Sequence, residues 1–151
     1  MLTVEFCNRQ TRLEVPETRW SRLLEVLLRT EGLEEAEVSV TIVDDGEMHA
    51  LNRQYLDHDY PTDVLSFVLE EGPGSLCGEI IVSADTAVAR ASEFGWSAED
   101  ELTMYVLHGA LHLVGYDDKE DTARQRMRER ERFYLRQFGM LPESSAESSA
   151  D

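Results

Sequence analysis

His108 and His112 are separated by Gly109, Ala110 and Leu111, within a stretch whose apolar spacing predicts a helix over residues 98–113. An i, i+4 pair places both imidazoles on one helical face, one turn apart, where they can share a tetrahedral ion. Gly115 ends that helix, and the chain then returns with Asp117 and Asp118, either of which offers carboxylate oxygen. The spacing His-x3-His-x5-Asp supplies three ligands, His108, His112 and Asp118, and leaves a fourth position open. An open position distinguishes a catalytic zinc site from a closed structural one, because the water it holds has its pKa lowered toward about 7. The competing reading is plain packing: the imidazoles are satisfied by neighbours, and Asp117 or Asp118 caps the last helix with Glu120 or Asp121 three residues on.

A peptidase of the HExxH type needs a glutamate directly after the first histidine, and Gly109 stands there, which argues against that chemistry and leaves hydrolysis of a peptide or small phosphoester at the same zinc as a rival reading. Lone histidines seldom belong to sites, so His58 is a minor candidate and His49 a lesser one. Arg124, Arg128, Arg132 and Arg136 recur every four residues along the last helix, a line of guanidinium groups. The favoured reading is a solvated face pairing with Glu120, Glu129 and Glu131, with phosphate contact as the minor one.

The elements that must position these residues follow from periodicity. Thr3 to Cys7 is β-prone, and Glu17 to Glu31 carries Trp20, Leu23, Leu24, Leu27 and Leu28 at helical spacing behind Pro16. Val38, Val40 and Ile42 alternate as in a strand, and Asp44 or Asp45 caps a helix containing Met48, Leu51 and Tyr55. Val64 to Leu69 and Glu79 to Val82 read as strands across the turn Gly72-Pro73-Gly74, which makes antiparallel neighbours of them. Asp85 to Phe94 is helical up to Gly95, Ser97 opens the histidine helix, and a last helix spans about Lys119 to Phe138, burying Ala123, Met127, Tyr134 and Phe138. Four strands interleaved with five helices give an α/β (α+β) domain with a four-stranded mixed sheet.

A length of 151 residues bounds the chain to one compact unit, read as residues 1–142, with a small, polar, acidic and disordered tail at 143–151. Hydrophobic residues make up 42% and charged ones 30%, a globular composition. Fourteen basic against 31 acidic residues give a formal charge of −17, which excludes holding nucleic acid by bulk charge, so an anionic substrate must be bound locally. The excess lies wholly in residues 1–118, with 7 basic and 24 acidic; residues 119–151 are balanced at 7 and 7. Cys7 and Cys77 form neither a disulfide framework nor a CxxC motif, which fits a reducing compartment. The amino-terminal MLTVEFCNRQ lacks a basic flank followed by an apolar run, and no stretch approaches a membrane span, so a cytoplasmic location is expected.

The run His108-Gly-Ala-Leu-His112-Leu-Val-Gly-Tyr-Asp117-Asp118, with Met127 nine residues on, resembles the signature of the YbeY family of bacterial metal-dependent endoribonucleases that mature ribosomal RNA. Leu51-Asn52 with Tyr55, then Pro61-Thr62-Asp63-Val64-Leu65-Ser66-Phe67, resembles a second block of that family, and Gly78-Glu79-Ile80-Ile81-Val82-Ser83 one of its strands. The resemblance covers about residues 37–138. It implies a zincin-like histidine helix holding one Zn2+ per chain, cleavage of single-stranded RNA, and a role with the small ribosomal subunit in 16S rRNA processing and ribosome quality control. Two positions depart from the family pattern. Asp118 stands where a third histidine is usual; a carboxylate is an established zinc ligand, so binding survives with a less acidic bound water. Leu56 stands where an arginine is usual and offers phosphate nothing polar, which leaves Arg53, about one turn earlier, as the phosphate-contact candidate. It also motivates the alternative of a metal-binding, ribosome-associated factor with weak or lost nuclease activity. Asp117 is the candidate to orient a ligating histidine.

Overall fold

Four strands, with the clearest alternation at Val38, Val40 and Ile42, make up the sheet in the computed structural model, which describes residues 1–55 and 63–140. The strands are β1 (Leu2–Asn8), β2 (Glu35–Val43), β3 (Val64–Gly72) and β4 (Ser75–Ser83), in spatial order β1-β2-β4-β3. β1 and β4 run parallel to β2, with Val4 opposite Val38 and Val40 opposite Ile80. β3 returns antiparallel to β4 through the Gly72-Pro73-Gly74 turn. The five helices are α1 (Glu17–Thr30), α2 (Asp45–Tyr55), α3 (Ala84–Phe94), α4 (Ala98–Leu113) and α5 (Asp121–Gln137). This is the mixed-sheet α/β (α+β) class and the element order that periodicity predicts. Among the described residues no helix is long and apolar enough to cross a membrane. Leu56 and His58 lie outside the described residues, as does the stretch 143–151 read as a tail.

The helix starts follow their capping residues. Ser97 Oγ accepts the Asp100 amide at 3.0 Å, and Asp44 Oδ1 accepts the Glu47 amide at 2.8 Å, so Asp44 rather than Asp45 caps α2 by side chain. Two boundaries differ from the periodicity reading. β4 begins at Ser75, four residues before Glu79, because Ser75 to Gly78 pair with Glu35 to Val38 of β2 although they do not alternate in polarity. β3 runs on to Gly72 past an irregularity between Val68 and Glu70 that leaves Leu69 exposed.

Strand parity sorts the core. Val38, Val40, Ile42, Ile80 and Val82 face the main cluster with α1 and α4, whereas Val43, Leu65 and Ile81 face Met48 of α2 on the other side. Five apolar residues of α1, Trp20, Leu23, Leu24, Leu27 and Leu28, are at most 1% exposed, each stabilising by about 1.5–3 kcal/mol relative to exposure. Trp20 Nε1 donates to Thr103 Oγ1 at 2.8 Å, which docks α1 onto α4. Helix α4 is covered almost all round. After its first turn only Met104, His108 and His112 are not buried, and they recur every four residues as one open seam.

The other positioning device lies at the far end of α1. Glu31 Oε2 accepts from Tyr134 Oη at 2.6 Å and from Arg130 Nη2 at 2.6 Å, both on α5, while Oε1 accepts from Tyr116 Oη at 2.9 Å, just beyond α4. Burial opposes the carboxylate, but these bonds from Tyr134, Arg130 and Tyr116 prevail and hold its pKa below the ordinary value. One side chain thus ties together α1, α5 and the turn after α4.

Gly109 explains how closely α4 lies on the sheet. A Cβ there would stand 2.8 Å from Ile80 Cγ2 and 3.1 Å from Val64 Cγ2, closer than such atoms pack. Ile80 is fully buried and its Cγ2 is fixed at the branch, so it cannot swing aside. Alanine at 109 gains about 1 kcal/mol of helix propensity, but overpacking a filled core costs about 1–3 kcal/mol. Gly109→Ala is therefore expected to lower unfolding stability, by up to about 2 kcal/mol in urea denaturation; a gain would show that α4 is free to lift.

Candidate metal centre

The seam on α4 turns both imidazoles toward the loop that follows it. Gly115, with φ 106°, reverses the chain after the helix, a left-handed conformation that a glycine adopts without strain. The return brings Asp118 back over the histidines. His108 Nε2 and His112 Nε2 are 3.1 Å apart, and Asp118 Oδ2 lies 3.5 Å from the first and 3.8 Å from the second. Two ligands at 2.0–2.1 Å from a tetrahedral ion stand roughly 3.3–3.4 Å apart, so this spacing fits one zinc-sized cation. Two imidazole nitrogens and one carboxylate oxygen also suit zinc better than magnesium, which prefers an all-oxygen octahedron. His108, His112 and Asp118 are the group among the described residues whose donor atoms converge in this way.

Asp118 therefore faces the imidazoles and does not cap α5, whose start at Glu120 has no side-chain cap. Asp117 Oδ1 accepts the Lys119 amide at 2.8 Å and shapes the turn. The histidine-orienting contact is made instead by Glu131 on α5, 23 positions from His108. Its Oε2 lies 2.7 Å from His108 Nδ1, and the residue is 8% exposed. A carboxylate only accepts, so Nδ1 carries the proton and the lone pair of Nε2 points at Asp118 and His112. Glu131 belongs to no solvated ion-pair ladder, contrary to what its place among the arginines of α5 suggests. The periodicity held one clue: position 131 shares a helical face with Met127, which is buried.

The two imidazoles are tuned apart. Burial disfavours the cation of His108, yet the hydrogen bond and charge of Glu131, with help from Asp118, outweigh it and raise its pKa. For His112, burial and then the neighbouring His108 push the pKa down, which keeps it neutral and able to donate its lone pair.

Beside His108 opens a cleft of about 310 Å3, lined by Val64 of β3, Met104 of α4 and charged groups that include Asp63 just before β3, Arg90 of α3, Glu101 of α4 and Arg124, Arg128 and Glu131 of α5. Arg90, Arg124 and Arg128 are its cations. Arg53 is exposed in the last turn of α2 and is not among the described residues lining the cleft, nor is His49.

The sequence model of the family described as Endoribonuclease YbeY matches residues 5–139, nearly the whole described chain. The chain belongs to the YbeY family. Relatives carrying the name Endoribonuclease YbeY include one from Salinibacter ruber, 39% identical over 96% of this chain and 95% of its own. Another, from Rhodopirellula baltica, is 40% identical over 91% of this chain and 73% of its own. The solution structure of TM1509 from Thermotoga maritima superposes with a TM-score of 0.60 at 30% identity, covering 89% of this chain and 87% of that one. As a member of the YbeY family this chain is an endoribonuclease, an enzyme that hydrolyses RNA internally.

Glu131→Gln leaves the shape of the contact but removes its charge, so zinc affinity should fall about 10–100-fold in a competition titration against a chromogenic chelator. Unchanged affinity would mean that the 2.7 Å contact does not govern His108 as a ligand.

Proposed function

We propose that this chain is a zinc-dependent endoribonuclease specific for single-stranded RNA, acting in the cytoplasm on small-subunit rRNA during 16S maturation and ribosome quality control, with residues 1–142 as its one domain. The observation that carries the reading is the convergence of His108, His112 and Asp118 in a charged cleft, within a family of endoribonucleases. The same three residues are the proposed metal ligands. Zinc held there supplies Lewis acidity toward a phosphodiester and toward the water that attacks it.

The chain's own groups do the rest. Glu131 fixes the ring of His108 by taking its Nδ1 proton in a hydrogen bond, so Nε2 stays aimed at the cleft. His112 is held toward its neutral form because burial, and then the neighbouring His108, lower its pKa. Asp118 adds one negative charge to the ligand set, and the half-buried apolar side chains of Val64 and Met104 line the cleft beside it.

His108→Ala should lose zinc in metal analysis of the purified protein and lower single-turnover cleavage of a single-stranded RNA by about 100-fold or more. A chelator should do the same to the unmodified chain, with zinc restoring activity. Full activity without metal would refute the proposal. RNA binding without cleavage would favour the competing reading, a metal-binding ribosome-associated factor, for which Leu56 in place of the usual arginine is the motive.

A further inference from the structure

A chain of charge −17 that handles RNA must meet the phosphate backbone with a few cations placed where they count. The cleft beside the histidines has four carboxylates, Asp63, Glu101, Asp118 and Glu131, and three guanidiniums. Two of the guanidiniums are engaged. Arg90 Nη1 lies 3.2 Å from Asp63 Oδ2, and Arg124 reaches Asp121 at 3.0 Å and donates to the Asp118 carbonyl at 3.2 Å. The carboxylates are occupied as well: Glu101 accepts from Trp96 Nε1 at 2.7 Å, Glu131 from His108, and Asp118 faces both imidazoles.

Arg128 differs. It is exposed, lines the same cleft as His108 and Asp118, and pairs with no group among the described residues. Its position is fixed by helix geometry: three residues before Glu131, it shares the face of α5 that meets His108, with β-carbons about 5–6 Å apart. An uncommitted guanidinium beside a metal centre has a planar fork that matches two phosphate oxygens. The alternative, an arginine that merely solvates its helix, applies better to Arg136, which is exposed, sits in the last turn and is absent from the cleft.

We propose that Arg128 binds the RNA backbone by gripping a phosphate that flanks the scissile one, so that the strand crosses the cleft along α5. This rests on the endoribonuclease reading. It assigns to α5 the phosphate contact that the leucine at position 56 cannot make, and takes that role from Arg53.

The test compares the zinc-loaded chain with Arg128→Ala, Arg128→Lys and Arg136→Ala, following cleavage of a single-stranded RNA oligonucleotide across a salt series. Arg128→Ala should raise KM about tenfold with kcat within about twofold, since the contact acts alike on ground and transition states. Its salt dependence should be shallower by about 0.7 in log–log slope, one phosphate contact on a single strand. Arg128→Lys should keep that slope, and Arg136→Ala should behave like the parent. All three should unfold at the parent's urea midpoint, as exposed substitutions do. The proposal is overturned if Arg128→Ala keeps the parent's KM and salt slope, or if Arg136→Ala loses as much, which would mark a bulk-charge effect. A parent chain that neither binds nor cleaves RNA with zinc bound would bring down the endoribonuclease reading itself and this proposal with it. An active parent with an indifferent Arg128→Ala brings down this proposal alone.

Discussion

Everything at the candidate centre depends on how tightly α4 is enclosed. The helix lies against β3 and β4 at Gly109, against α1 through Trp20 and Thr103, and against the core through Leu102, Val106, Leu107 and Leu111. With its other faces filled, the strip of Met104, His108 and His112 is what remains open after the first turn, and Met104 and His108 of that strip line the cleft. A helix that cannot rotate about its axis without unpacking several buried side chains holds its imidazoles to within the tolerance a metal ion requires. The same closeness keeps a side chain off position 109, so the general base that an HExxH helix carries there cannot come from that position.

The parts of the fold that were legible in the sequence are those with a clear period or a strong boundary. The stripe Trp20 to Leu28, the alternation from Val38 to Ile42, the serine cap at 97 and the glycines at 95 and 115 each correspond to an element or an end in the structure. The extension of β4 back to Ser75 was not legible, because that segment is held by backbone pairing to β2 and not by alternating side chains. The convergence of His108, His112 and Asp118 could be read from spacing because one helix and one short turn span it. Glu131 could not be read so directly. It sits in a helix crowded with acidic and basic residues, where the ordinary expectation is a solvated pair, and its partner lies on a different helix. Long-range polar contacts leave little periodic trace, and the distinction between Asp117 and Asp118 likewise rests on which way one turn faces.

Charge is managed locally throughout the site. The cleft alternates carboxylates with guanidiniums, most already paired, so its net field is modest even though the chain as a whole is strongly acidic. A cation bound between the imidazoles and Asp118 would shift that balance toward attraction for a phosphate, which makes metal occupancy and substrate admission parts of one electrostatic arrangement.

Glu31 shows that the convergence of the proposed ligands is not the property of a short segment. Its carboxylate reaches Tyr116 in the turn leading to Asp118, and Arg130 and Tyr134 on the helix that carries Glu131, so the end of α1 braces both carboxylates that serve the histidines. Grafting residues 98–118, the 16-residue histidine helix and its turn, onto a foreign scaffold would transplant two imidazoles and leave behind the brace. Such a graft would chelate through two arms, with the third swinging freely.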